Sequence, residues 1–165
     1  MDKRNAEETA CLRSVVAALA WIARQVRPDF SYRVSRVQTV AGHGRVKDVR
    51  ECNKVLVYVL QTSQQCVYFV SAGFSWGDAV VCTITDVSFR NESAYAAGVK
   101  EDGRRQQGYV ICLAPGDIAN RTDAMIHPTA WSSTVIKRVC RSTFMAETFS
   151  MIRGAEAGAL LRAAI

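Results

Sequence analysis

At 165 residues, 49 % of them apolar and 22 % charged, the chain is long enough for one domain with a real core. A small domain with a helical appendage would fit the same length, and the composition excludes a disordered segment. The net charge of +6 mildly favours polyanionic partners without requiring them.

The lead-in Met1-Asp-Lys-Arg-Asn-Ala-Glu-Glu8 is a solvated start rather than a targeting segment. Leu12, Val15, Val16, Leu19, Ile22, Ala23 and Val26 recur at helical spacing and predict a helix over 8–25. Within it lies the longest apolar run, Val15 to Ala23, too short to span a bilayer, so no membrane partner is expected. Arg27-Pro28-Asp29 ends this helix, because proline disfavours helical geometry in the residue before it. The same proline can open the next helix, along which Phe30, Val34 and Val37 align. Ala41-Gly-His-Gly44 reads as a turn, which gives His43 no further role. Val49, Cys52, Leu56, Val59 and Leu60 restore the helical period over 45–62. Residues 1–62 are therefore expected to form a helical unit.

From Gln64 the period changes to two, and 63–165 is expected to form a second domain. Cys66 to Val70 predicts a short strand, Gly73 to Asp78 a turn, and Ala79 to Asp86 a second strand. A polar, glycine-containing loop covers roughly 90–107. Gly108 to Ala114 predicts a third strand, stopped by Pro115-Gly116, and Thr129 to Arg138 a fourth. A helix follows from about 143 to 163. Helices first, then a strand meander, then a helix make an α+β fold without internal repeats.

The six cysteines (11, 52, 66, 82, 112 and 140) stand far apart, with no Cys-x-x-Cys and no histidine at ligand spacing, so zinc is not expected. In a chain without a signal peptide they read as buried or half-buried thiols of an intracellular, non-secreted protein.

Two carboxylates carry the strongest chemical signal. Asp86 ends an apolar strand, where aspartate is depleted, and so is either a turn residue or a functional one. Glu147 lies in the first turns of the last helix, after the segment Trp131-Ser-Ser-Thr and Ser142-Thr. It is either a solvated glutamate favoured by the helix dipole or a ligand. A strand-end Asp and an early-helix Glu on neighbouring elements are how a divalent-metal site begins. Lys137, Arg138 and Arg141 cluster beside the helix start, and Arg104 and Arg105 precede Gly108. They read either as phosphate contacts or as a solvated strand edge. Trp131 is either a stacking residue or part of the sheet, and His127 has no partner that would make it a general base.

Several segments, in this order, resemble the reverse transcriptase–ribonuclease H region of copia-type retrotransposon Pol polyproteins, from about residue 10 to the C-terminus. They are the apolar run ending in Arg27-Pro28-Asp29, the helix Asn53-Lys-Val-Leu-Val-Tyr-Val-Leu60, and Thr85-Asp-Val-Ser-Phe89. Gln107-Gly-Tyr-Val110, Trp131-Ser-Ser133 and Ser142-Thr-Phe-Met-Ala-Glu147 follow. The resemblance implies that residues 1–62 are a reverse transcriptase thumb- or connection-like segment. Residues 63–165 would then be a truncated ribonuclease H-like domain with a partial mixed sheet. It further implies that Asp86 and Glu147 are catalytic, metal-binding acids. In the intact parent they would hydrolyse the RNA strand of an RNA/DNA hybrid with Mg²⁺ or Mn²⁺. The rest of the Pol polyprotein, with its RNA-directed DNA polymerase, would be a partner, in a cytoplasmic particle or the nucleus.

Two departures qualify what it implies. The family's next acid lies on a strand after this helix, and here only Glu156 follows, nine residues on and half a turn out of phase with Glu147. The paired aspartates of the polymerase are also missing. The chain alone is therefore expected to be weak or inactive, with residues 79–86 left as an exposed sheet edge unless strand 66–70 pairs there or the helical unit covers it. The alternative expectation is a non-catalytic nucleic-acid-binding or interaction remnant.

Overall fold

A computed structural model describes residues 6–42, 45–69, 71, 73–88 and 105–165. The chain forms two compact units, Met1–Val67 and Tyr68–Ile165. The fold is α+β, with helices first and then a three-stranded antiparallel sheet followed by a C-terminal helix. Among the described residues no helix is long and apolar enough to cross a membrane.

The first unit holds α1 (Ala6–Gln25), α2 (Ser31–Val40) and α3 (Val46–Gln61). The apolar stripe of α1 buries Leu12, Val16, Leu19, Ala20 and Ala23. These meet Phe30, Val34 and Val37, and Cys52 and Val55 of α3, in one core. Phe30 is wholly buried, which is worth about 2–3 kcal/mol by area. Pro28 opens a single 3₁₀ turn, Pro28–Phe30, before α2 begins. Its missing N–H matters little at a first-turn position, where no intrahelical partner exists.

Arg27 explains why the chain turns there. Its guanidinium grips both oxygens of Asp29, at 2.8 and 2.9 Å, and donates to the Thr62 carbonyl at 2.8 Å and to Thr62 Oγ1 at 2.7 Å. Tyr58 Oη completes the group by donating to Asp29 Oδ2. A buried cation thus ties the end of α1 to the end of α3, giving the Thr62 carbonyl a second donor beside Gln65 N.

In the second unit Ser75 caps a short 3₁₀ turn by accepting from Gly77 N. That turn leads into β1 (Ala79–Ser88). β1 pairs with β2 (Gln106–Pro115) without a break, from Ala79 opposite Pro115 to Ser88 opposite Gln106. β2 pairs with β3 (His127–Val135), and the register slips between Ile111 and Cys112. Ile111 faces Ala130 and Cys112 faces Pro128, so Thr129 is the extra residue. Its hydroxyl donates to the Ile111 carbonyl at 3.0 Å. The bulge also accommodates Pro128, which cannot donate to a ladder and is tolerated at an edge.

The strand expected at 66–70 does not form over 66–69, and Val70 lies outside the described residues. Residues 65–69 have no regular structure, and among the described residues the sheet has three strands in the order β1-β2-β3 rather than four. Four apolar residues in a row signal a strand only if a ladder partner exists, and Tyr68 and Phe69 instead are exposed. The last strand also stops before the expected Arg138. Ile136 leaves the ladder to pack with Val87, Cys140, Ala146 and Phe149.

α4 (Thr143–Ala164) is capped by Ser142, whose Oγ accepts from Met145 N at 3.1 Å. It buries Ala146, Ser150, Gly154 and Gly158. Four helical residues rise ~6 Å and two strand residues ~6.6 Å, so this stripe keeps step with alternate residues of β1. Gly158 lies against Val81 and Thr83, Gly154 against Thr83 and Thr85, and Ala146 joins Val87 in the small core. α4 therefore runs antiparallel to β1 across the sheet, at a distance that only small residues permit.

Candidate functional site

The same register brings Asp86 and Glu147 to one end of the unit. Ser150 Oγ lies 2.9 Å from the carbonyl oxygen of Asp86 and 3.3 Å from that of Gly108. Glu147 is one turn back along α4, about 4.5 Å in rise, at the level of Asp86 and Val87. Asp86 does not end the strand as expected, since β1 continues through Ser88. It is half-buried.

The two side chains nevertheless leave on different faces. Val81, Thr83, Thr85 and Val87 point to α4. Strand alternation then directs Asp86, with Val80, Cys82 and Ile84, to the opposite face, where it is exposed. On α4, Arg153, Glu156, Ala157 and Leu160 meet Tyr109 of β2 on one flank. Glu147 lies about 60° round the helix from Ser150, in the opposite sense from Arg153. It therefore overhangs the outer edge of β1, which no described strand occupies. Glu156, ion-paired with Arg153 at 3.7 Å, is on the β2 side and does not join Glu147.

A hard divalent cation takes six or more oxygen ligands, of which Mg²⁺ draws only one or two from carboxylates and the rest from water and phosphate. Asp86 and Glu147 would therefore form part of a shell and not complete it. Among the described residues no group of three or more His, Cys, Asp and Glu stands together. The remaining ligands of Mg²⁺ or Mn²⁺ would come from water, phosphate or further acids beside the outer edge of β1.

The basic residues divide into two kinds. Lys137, Arg138 and Arg141 are exposed on the segment between β3 and α4, with the Arg138 guanidinium 5.3 Å over the Phe149 ring. Arg105 is different and corrects the expectation of a phosphate contact. It is 5 % exposed, and its Nη2 donates to the Cys140 carbonyl at 2.9 Å, while its own carbonyl accepts from Ile136 N. A buried guanidinium committed to the main chain holds the β3–α4 connection and is not offered to a ligand. Arg104, His43 and Asp102 lie outside the described residues.

Trp131 is half-buried opposite Val110 in the ladder. His127 is buried, edge-on to Phe74 with ring centroids 5.7 Å apart, and among the described residues its Nε2 has no hydrogen-bond partner. Asp117 and Asp123 are exposed, and Arg121, donating to Asp117 at 2.7 Å, holds that carboxyl below the usual range.

Sequence reasoning missed the Arg27 group, where the Arg27 hydrogen bond holds the Asp29 carboxyl below its usual range. It also missed the stripe Ala146-Ser150-Gly154-Gly158. The signal was present as small residues at a spacing of four. No family model, no curated protein and no solved structure matches the chain.

Proposed function

We propose that the second unit is the opening part of a ribonuclease H-like nuclease from a copia-type retrotransposon polyprotein. In the intact parent, Asp86 and Glu147 would be two of the carboxylates that hold Mg²⁺ or Mn²⁺ for cleaving the RNA strand of an RNA/DNA hybrid. This chain by itself would be weak or inactive.

One observation carries the reading: three antiparallel strands followed by a helix laid back antiparallel to the first, with Ser150 bonded to Asp86 beside Glu147. That arrangement brings an acid near the end of β1 and an early-helix acid to one level beside a strand edge that no described strand occupies. An element added there could supply further carboxylates to both. The metal's role would be to stabilise the attacking and leaving oxygens of the phosphodiester. The chain's own part would be to present two acids and, through Lys137, Arg138 and Arg141, to attract the nucleic-acid backbone.

A second reading, a non-catalytic nucleic-acid-binding remnant, is favoured by the outward face of Asp86 and by the exposed cations. Paramagnetic broadening by Mn²⁺ separates the two. On the first reading, Mn²⁺ broadens the NMR signals of Asp86 and Glu147 first, Asp86→Asn weakens the effect, and any hybrid cleavage is lost with it. Broadening that ignores both residues, or robust hybrid cleavage equal in Asp86→Asn and the unmodified chain, would sink the first reading.

A further inference from the structure

Cys82 of β1 and Cys112 of β2 stand directly opposite one another in the unbroken antiparallel ladder. Opposed residues share a face, with Cα atoms roughly 4.5 Å apart at a non-hydrogen-bonded pair and about 5.5 Å at a hydrogen-bonded one. Both spacings lie within the ~4.4–6.8 Å that a disulfide spans. The two cysteines are free thiols with unequal access: Cys82 is half-buried and Cys112 is 1 % exposed. Burial, and secondarily the proximity of Cys82, pushes the Cys112 thiol up.

We propose that Cys82 and Cys112 form a reversible disulfide that fastens β1 to β2. A low-molecular-weight disulfide serves as oxidant. The Cys82 thiol, reached first, gives its proton to solvent, and its thiolate attacks one sulfur of that reagent. A mixed disulfide forms and the first small thiolate leaves, taking up a proton. Cys112 then loses its proton and attacks Cys82 Sγ, which forms the Cys82–Cys112 bond and expels the second small thiol. Two protein thiols are oxidised by two electrons in all, and one small disulfide is reduced to two thiols. The high thiol pKa of Cys112 makes the second step the slower one and speeds it as pH rises.

The division of labour follows from access, with an entry thiol that reagents reach and a resolving thiol that they do not. No other cysteines share a ladder position: Cys11 and Cys66 are exposed, and Cys52 and Cys140 are buried elsewhere. Asp86 lies four residues beyond Cys82, on the same strand and the same face. The bridge would therefore pin the strand that carries this acid, whether or not the acid binds a metal.

The test uses the folded full chain with oxidised glutathione. Remaining thiols are then alkylated, and the digest is mapped by mass spectrometry. The expected result is a peptide joining Cys82 to Cys112, lighter by two hydrogens, absent from Cys82→Ser and released by dithiothreitol. Because the mapping is done on the unmodified protein, it does not depend on whether a variant folds. Oxidation that stops at a glutathione adduct on Cys82 would overturn the proposal. So would a Cys11–Cys52 link formed while Cys82 and Cys112 stay reduced.

Discussion

Ser150, in the middle of α4, donates its hydroxyl to the main-chain oxygen of Asp86, 64 residues earlier, at 2.9 Å. Ser150 is 1 % exposed, so this bond lies where water cannot replace it. Removing the hydroxyl by Ser150→Ala should cost about 1–2 kcal/mol, because a buried acceptor loses its partner. Urea unfolding followed by the fluorescence of Trp131 checks it. An unchanged midpoint would show that the carbonyl finds another donor.

The glycines beside Ser150 should behave against their intrinsic preference. On an exposed helix, Gly→Ala gains about 1 kcal/mol. A Cβ on Gly154 would collide with the Thr85 methyl, and one on Gly158 would come within 2.6 Å of Thr83 Oγ1. Gly154→Ala should therefore destabilise by about 1–3 kcal/mol, the usual cost of overpacking. Thr85→Ala made in the same chain should recover part of the loss, since it vacates the space. A double-mutant cycle measures that coupling, and simple additivity would disprove the contact.

The contrast between what the sequence disclosed and what it hid has a physical pattern. Local periodicity disclosed α1, because Leu12, Val16, Leu19 and Ala23 report their common face without help from elsewhere. The alternation of Val81, Thr83 and Thr85 disclosed β1 in the same way. Partners distant in the chain were hidden. Arg27 reads as a helix-ending cation until Thr62, 35 residues on, appears beside it. Arg105 reads as a surface cation next to Arg104 until the Cys140 carbonyl appears. Cys66–Phe69 has the residues of a strand but no ladder to join. For the candidate site, the level shared by Asp86 and Glu147 was legible from element order. Their separation onto two faces required knowing which face α4 covers.

The Arg27–Asp29 pair should make the first unit acid-sensitive. Arg27's hydrogen bonds hold the folded-state carboxyl of Asp29 below its usual value. A depressed folded pKa means that the unfolded chain binds the proton more readily. The contribution to stability is therefore complete above the unfolded value of about 3.9, and is lost as pH falls from there through the folded value. Asp29→Asn should remove that step while leaving the other carboxylates to titrate. Melts at pH 6 and pH 3 followed through Trp21 compare the two chains. A difference between them that does not shrink at low pH would contradict the assignment. Arg27→Lys keeps the charge but loses the fork that reaches Asp29 and Thr62 together, and should cost about 1–3 kcal/mol.

The five basic residues first grouped as phosphate contacts should separate in solution. Lys137, Arg138 and Arg141 are exposed, so changing all three to Gln should leave folding within about 0.5 kcal/mol of the parent. If they neutralise phosphates, the same change lowers hybrid affinity and flattens its dependence on salt. Each lost contact removes roughly 0.7–0.9 from the slope of log affinity against log salt. Arg105→Gln should do the reverse. It leaves the Cys140 carbonyl without the guanidinium and should destabilise the second unit by about 1–3 kcal/mol. Among molecules that remain folded, the salt slope should not move. Fluorescence anisotropy of a labelled hybrid, titrated across salt for each variant, measures both quantities. A slope that falls in Arg105→Gln but not in the triple variant would return Arg105 to the binding surface and remove the other three from it.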